Sequence, residues 1–505
     1  MADKERQFYI NEINRLQLLV DTLTEALNNQ SSVIENQTST INELTAEIAA
    51  LKDTIKELVE QKNKDSHNSS KPPSSDGYKK PSPKSQRKKT GRSIGGQKGH
   101  PGNHMSIPHE PDAVVDHHPD KCLSCPRLPE CIQEKRFGCT ESRYVVDVEV
   151  KTTVTEHRSL NTCECPMGEN LSKGNFPEAV KAHVQYGNSV SVLVGLLSTY
   201  GAVSAMRIHT LVGSLLGVKL STGTVMSMVS KCAKKVGPIM KIIQRLIASG
   251  KVGNFDETGA RLNGLLNWVH NSSTPLYTYQ TINKKRGKIG IDANGVLPNF
   301  SGVAMHDCWS PYWKYDGIIH AICNAHLLRE LTGIEENEPD HTWAGEFKTL
   351  LRSMKKAKEK AIASGKDVLS YYYLHKFDLE YERIMALADE QCPAPPPKQK
   401  KKRGRQKKGK ERCLIERLQL LKDAVCLFIH DFNVPFDNNQ AERDIRNVKT
   451  KVKVSGCFRS ENGAQNYLDV MSYLSTGRKH NVNVFEALTA AFSGNAEQWA
   501  SVHCH

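Results

Sequence analysis

Three acidic residues stand in settings that suit metal-dependent phosphoryl chemistry: Asp256 in Asp256-Glu257-Thr258, Asp307 in His306-Asp307, and Glu442 in Asp437-Asn438-Asn439-Gln440-Ala441-Glu442-Arg443. Hard divalent cations take oxygen ligands, and two of them held about 3.5 to 4 Å apart activate an attacking hydroxyl and stabilise the leaving oxygen of a phosphodiester. Two carboxylates leave such a cage open and a third closes it, with no covalent nucleophile required. Each acid also has an ordinary reading. An aspartate at a strand end starts a turn, and Glu442 with Arg446 is a common helical ion pair.

The elements around these acids decide whether they meet. After Gly250 the pattern changes to strands: residues 252–255 lead into Asp256, residues 267–271 and 275–280 read as the next two, and 284–292 reads as a helix. A further strand over 302–306 ends at Asp307, and another over 318–323 runs into a helix starting near Ala325. Three strands, a helix, a strand, a turn and a strand is the order of an RNase H-like α/β core, in which the first aspartate lies on strand one and the second at the end of strand four. Asp437 to Asn439 can cap a helix that presents Glu442 one turn in, with Arg443 and Arg446 placed to face phosphates. Between His326 and Asp437 lies more chain than such a core needs, with helical patterns over 343–364 and 368–389. It reads as an all-helical insertion at about 335–430, interrupted by the lysine-rich run of residues 393–412, which is either a phosphate-binding loop or a solvated one.

Ahead of this core, over 249–480, the chain changes character several times, so the fold class expected is multidomain α+β. Residues 5–62 carry apolar residues every seven positions, Ile13, Val20, Leu27, Ile34, Ile41, Ile48 and Ile55 on one row and Leu16, Leu23, Leu44, Leu51 and Leu58 on the other. That is a coiled-coil pattern favouring two parallel strands, with Gln30 and Gln37 weakening the leucine row; a long amphipathic helix packed on its own protein is the alternative. Residues 63–104 turn to Ser, Pro, Gly and basic residues and read as a disordered linker whose Lys88, Lys89, Arg92 and Lys98 neutralise phosphates or merely solubilise.

Cys122 and Cys125, with Cys163 and Cys165, flank an alternating stretch over 142–155 that reads as a strand hairpin, so residues 105–175 resemble a zinc ribbon. Cys131, Cys139, His117 and His118 are rival ligands. Residues 176–248 read as helical, with a turn and N-cap at residues 221–224, which fits a helix-turn-helix or an ordinary helical hairpin. Residues 481–505 hold a last amphipathic helix.

Lysine and arginine outnumber aspartate and glutamate by 69 to 55, concentrated in two runs, which points to a polyanionic partner, nucleic acid first. The most apolar stretch, residues 190–205, is too short and too broken by Gly195, Tyr200 and Gly201 to span a bilayer. No apolar signal segment follows the charged first residues, and 14 cysteines with this pattern are not a disulfide framework. A cytoplasmic, nucleoid-associated protein without a membrane partner is expected.

The segments Asn68-Ser69-Ser70-Lys71-Pro72-Pro73-Ser74-Ser75-Asp76 and Gly95-Gly96-Gln97-Lys98-Gly99-His100, the cysteine pairs, Asp256-Glu257-Thr258, His306-Asp307 and the Asp-Asn-Asn-Gln-Ala-Glu-Arg segment together make the chain resemble the insertion-sequence-66 family of bacterial transposases over nearly its whole length. The resemblance implies that Asp256, Asp307 and Glu442 are a catalytic triad binding two Mg2+ or Mn2+ ions. It also implies a zinc-binding, DNA-recognising N-terminal half and double-stranded DNA as partner, namely element ends and target. A homodimer or higher oligomer through the coiled coil, and accessory proteins of the same element, are further expected partners. Cys323 and His326 look like a Cys-x-x-His signature that positions the core, since two ligands are too few for zinc. The shortened second cysteine pair and the lysine-rich insertion depart from the family pattern. Two other readings share these features: a non-catalytic DNA-binding regulator or inactive remnant, and an RNase H-like nuclease acting on RNA hybrids or junctions.

Overall fold

The computed structural model describes residues 2–65, 68–69, 109–160, 173–395 and 408–496. The chain forms two compact units, Met1–Pro83 with His320–Asp437, and Lys84–Ile319 with Asn438–His505.

Heptad residues at the N-terminus build one helix, α1 (Ala2–Asn63). Its apolar rows, including Ile13, Leu23, Ile34, Ile41 and Ile55, are exposed along their length, as the seam of a coiled coil is in a single chain. Short helices α2 (Asp120–Leu123) and α3 (Leu128–Gln133) follow. The hairpin expected over 142–155 is not formed: those described residues pair in no ladder, and Val145, Val148 and Val154 all stand exposed. Period-two alternation marks a strand only when one face is covered and the backbone finds a partner, and here neither condition is met.

Helix α4 (Asn188–Gly195) runs through a π-turn into α5 (Ala205–Leu216), which ends at Gly217 in the left-handed region at φ 66°. Ser221 then accepts a hydrogen bond from Thr224 N at 3.0 Å and caps α6 (Thr222–Ala248). The cap stands where the sequence predicts it, but the helix begins within the expected turn, at Thr222. Val225, Met228, Val229, Cys232, Val236, Ile239, Met240, Ile243 and Ile247 recur at helical spacing and are buried.

The sheet consists of β1 (Val252–Leu262), β2 (Leu265–Ser273), β3 (Thr278–Asn283), β4 (Val303–His306) and β5 (Ile319–Ile322) in the order β3-β2-β1-β4-β5. Strands β1 and β2 are antiparallel, joined by Asn263-Gly264, both at positive φ as a two-residue hairpin turn requires. Strand β1 runs parallel to β4, and α7 (Lys288–Asn294) makes part of the crossover between β3 and β4. This helix starts four residues later than expected, after Gly287, with residues 284–287 forming an irregular link out of β3.

Beyond β5 come α8 (Asn324–Asn337), α9 (Trp343–Ala363), α10 (Tyr371–Gln391), α11 (Lys410–Leu420) and α12 (Lys422–His430), with α9 and α10 where helical patterns are expected over 343–364 and 368–389. Its interior holds Trp343, Phe347, Tyr381 and Phe428, with the Tyr381 hydroxyl donating to Leu418 O at 2.8 Å. The foot of α1 belongs to the same unit: Asn68 Nδ2 donates to Glu336 at 2.7 Å, and Lys56 pairs with Glu338 and Lys410 with Glu60. Helices α13 (Asn439–Ser455), α14 (Glu461–Lys479) and α15 (Val484–Ser493) return to the sheet unit, whose core is built from α6, the sheet, α14 and α15. Among the described residues no helix is long and apolar enough to cross a membrane.

Candidate active site

Parallel pairing of β1 with β4 matches Val252 to Val303, Gly253 to Ala304 and Asn254 to Met305. The same offset carried past the end of the ladder brings Asp256 level with Asp307, so two acids distant in sequence stand at the same height on neighbouring strands. Asp307 Oδ1 accepts a hydrogen bond from Trp309 N at 3.0 Å and thus also starts the turn that a strand-end aspartate usually starts. The turn uses only one of the two carboxylate oxygens.

Glu442 arrives on the first turn of α13, which packs against β1. Asn438 is the N-cap residue, but its side chain makes no capping bond. Its amide reaches across instead, donating to Phe255 O at 2.8 Å and accepting from Asn254 Nδ2 at 2.8 Å. A primary amide is both donor and acceptor, and β1 offers one of each at this depth, a better match for a buried group than one helix N–H. One turn further, Asp444 accepts from Lys479 Nζ at 2.8 Å and from Thr278 Oγ1 at 3.1 Å, fixing α13 to α14 and β3. Arg443 and Arg446 lie on the exposed face of the helix, with Arg443 donating to Gln440 at 2.8 Å.

The acids act on one another electrostatically. Burial pushes the Asp256 carboxyl well above the usual carboxylate range, and the charges of Glu257, Asp307 and Glu442 raise it further. Burying like charges together is unfavourable unless a cation or a proton relieves them. The donor set is all oxygen and acidic, so these residues fit hard divalent ions.

Sequence reasoning passed over a second layer of the site. Glu257 follows Asp256 and so points to the opposite face of β1, where Tyr312 donates to its Oε2 at 2.6 Å, and Arg286 Nε and Nη2 donate to its Oε1 at 2.9 and 2.7 Å. Burial and the Asp307 charge raise the Glu257 carboxyl, and the Tyr312 and Arg286 hydrogen bonds oppose them. The Arg286 guanidinium lies 4.7 Å from the Trp268 ring and 4.1 Å from the Trp309 ring, and His306 stacks on Tyr312 at 4.7 Å. The cluster of aromatic residues just after Asp307, from Trp309 to Trp313, was the available signal.

The remaining candidates divide. Cys323 is buried at the start of α8 and accepts from His326 N through its carbonyl at 3.1 Å, so both belong to the first turn of that helix. Cys122 and Cys125 lie in and just after α2, closed by a Cys125 N to Cys122 O bond at 3.0 Å, and Cys131 lies on α3. Cys163 and Cys165, and the basic residues Lys88, Lys89, Arg92 and Lys98, fall outside the described residues, as does most of the lysine-rich run.

A family model described as "Transposase IS66 family" matches residues 183–466, and a second, described as "Family of unknown function (DUF6444)", matches residues 9–106. The first match covers more than half of the chain, including Asp256, Asp307 and Glu442, and the chain therefore belongs to the IS66 family of transposases. No curated protein matches it.

Proposed function

We propose that this chain is a DDE-type polynucleotidyl transferase that cuts the ends of its own mobile element and joins the freed 3′-hydroxyl to target DNA. The observation that carries the reading is the Asp256 carboxyl raised by burial and by the charges of Asp307 and Glu442, in a protein of a transposase family. The strand order β3-β2-β1-β4-β5, an antiparallel meander extended by a parallel β4, supports an RNase H-like core.

Asp256, Asp307 and Glu442 would hold two Mg2+ or Mn2+ ions, which when bound supply activation of the attacking hydroxyl and charge stabilisation of the leaving oxygen. The chain's own work is positional. Asn438 holds the Glu442 helix against the Asp256 strand, the Trp309 amide orients Asp307, and the exposed Arg443 and Arg446 contact DNA backbone. Cys122, Cys125, Cys163 and Cys165 are the proposed structural zinc ligands, and α5 with α6 a DNA-binding helix-turn-helix. Lys88, Lys89, Arg92 and Lys98 add phosphate contacts, α1 joins two or more copies, and accessory proteins of the element join the complex.

The test is a gel assay on labelled DNA carrying the element's ends, with Mg2+, with Mn2+ and with chelator. Metal-dependent nicking at the boundary, lost in Asp256→Ala, Asp307→Ala and Glu442→Ala while DNA binding persists, supports the proposal. Cleavage retained in these variants would remove the triad assignment, and binding without cleavage would favour a regulator.

A further inference from the structure

We propose that Arg286 is a phosphate-binding residue of this site, its guanidinium lying against two indoles and presenting its outer N–H groups to a backbone phosphate of the strand being cut. The inference rests on the catalytic reading above and names a substrate contact within it.

The plain alternative is that Arg286 only neutralises Glu257. Glu257 is enclosed, its side chain 1 % exposed, and an arginine serving it alone gains most by being enclosed as well. The Arg286 side chain is 39 % exposed. Only Nε and Nη2 are used on Glu257, and Nη1 donates no hydrogen bond among the described residues. The rings of Trp268 and Trp309 lie 4.7 and 4.1 Å from the guanidinium carbon, contacts that reduce the side-chain freedom still to be lost on binding. A fixed planar fork is the geometry that grips a phosphate.

Its place in the fold points the same way. Trp309, whose ring lies 4.1 Å from the guanidinium, also donates its backbone N–H to Asp307, so one residue contacts both the arginine and the second acid. Asp256, Asp307 and Glu442 bring like charges that act on one another, and before metal binds they repel a nucleic-acid backbone. A cation fixed at the rim offsets that repulsion for the phosphates beside the reacting one.

The experiment compares wild type, Arg286→Gln and Arg286→Lys on element-end DNA with an uncharged methylphosphonate placed at one position at a time around the cut. Arg286→Gln is expected to lower cleavage kcat/KM by about 10- to 100-fold, the worth of one charge-assisted hydrogen bond. At one position the methylphosphonate lowers wild-type cleavage by a similar factor and costs Arg286→Gln nothing more. Arg286→Lys keeps the charge beside Glu257 but not the fork, and falls between the two with the same positional dependence. Unchanged cleavage by Arg286→Gln, or variants that lose activity yet still respond to every methylphosphonate as wild type does, would overturn the inference while leaving the triad standing. Wild-type protein that cuts no element end in either metal overturns the catalytic reading itself, and this inference with it.

Discussion

Asn438 ties the helix of the third acid to the strand of the first: its side-chain amide donates to Phe255 O and accepts from Asn254 Nδ2, both at 2.8 Å, and the two asparagines are buried. Asn438→Ala strands the Asn254 amide and frees the first turn of α13. A loss of about 1–3 kcal/mol of stability is expected by chemical denaturation, together with at least a tenfold fall in DNA cleavage, roughly 1.4 kcal/mol of barrier, although all three acids remain. Cleavage at the wild-type rate would show that Glu442 needs no such tether.

Asp256 has a folded-state pKa above its unfolded value, so the folded protein holds that proton more tightly. The stability linked to it is present at low pH and is lost as pH rises through the raised pKa. In chelator at neutral pH, Asp256→Asn is expected to melt above wild type, with the difference vanishing near about pH 4, the ordinary aspartate range. Added Mg2+ should raise the wild-type Tm more than that of the variant. Scanning calorimetry at the two pH values decides it.

Asp469 on α14 gives a second titration away from the acids, its carboxyl pushed up to about 6 by burial and opposed by the hydrogen bond from Gln465. The sign is the same: stability is lost as pH rises from the ordinary aspartate value through about 6. Asp469→Asn should match wild type in acid and exceed it by about 1–2 kcal/mol at neutral pH, discounted for partial exposure. Urea unfolding at both pH values measures this, and equal midpoints would count against the burial.

The apolar rows of α1 stand in water in a single chain. Replacing Ile34 and Ile41 with aspartate is expected to lower the assembly state seen by sedimentation velocity without altering the melting of the sheet unit. An unchanged sedimentation coefficient would mean that copies meet elsewhere.

Strand positions were legible where apolar alternation coincided with real coverage, as at β1, β2 and β4, and strand order places Asp256 and Asp307 on neighbouring strands, while their offset comes from the β1–β4 register. The same alternation misled at 142–155, because periodicity carries no information about whether a partner exists. Asn263-Gly264 was a readable hairpin signal, and using it would have lengthened both flanking strands. The stretch Asp437 to Asn439 is expected to cap the Glu442 helix; local sequence cannot show that β1 offers Asn438 a better-matched donor and acceptor far away in the chain. The Glu257, Arg286 and Tyr312 bonds were hidden for the same reason, since charge and aromatic content announce neither distance nor direction.

The helical insertion lies between the second acid and the third, and it sets an order of events during synthesis. A ribosome delivers β1 and β4, and with them Asp256 and Asp307, well before α8 to α12 are made, and only then α13 with Glu442. For that interval a nascent or truncated chain holds two acids on a sheet that still lacks α14, and it cannot close a cage around a phosphodiester. On the reading given above, cutting activity is withheld until most of the protein exists, so interrupted translation yields an inert fragment and the host chromosome is spared an unfinished nuclease.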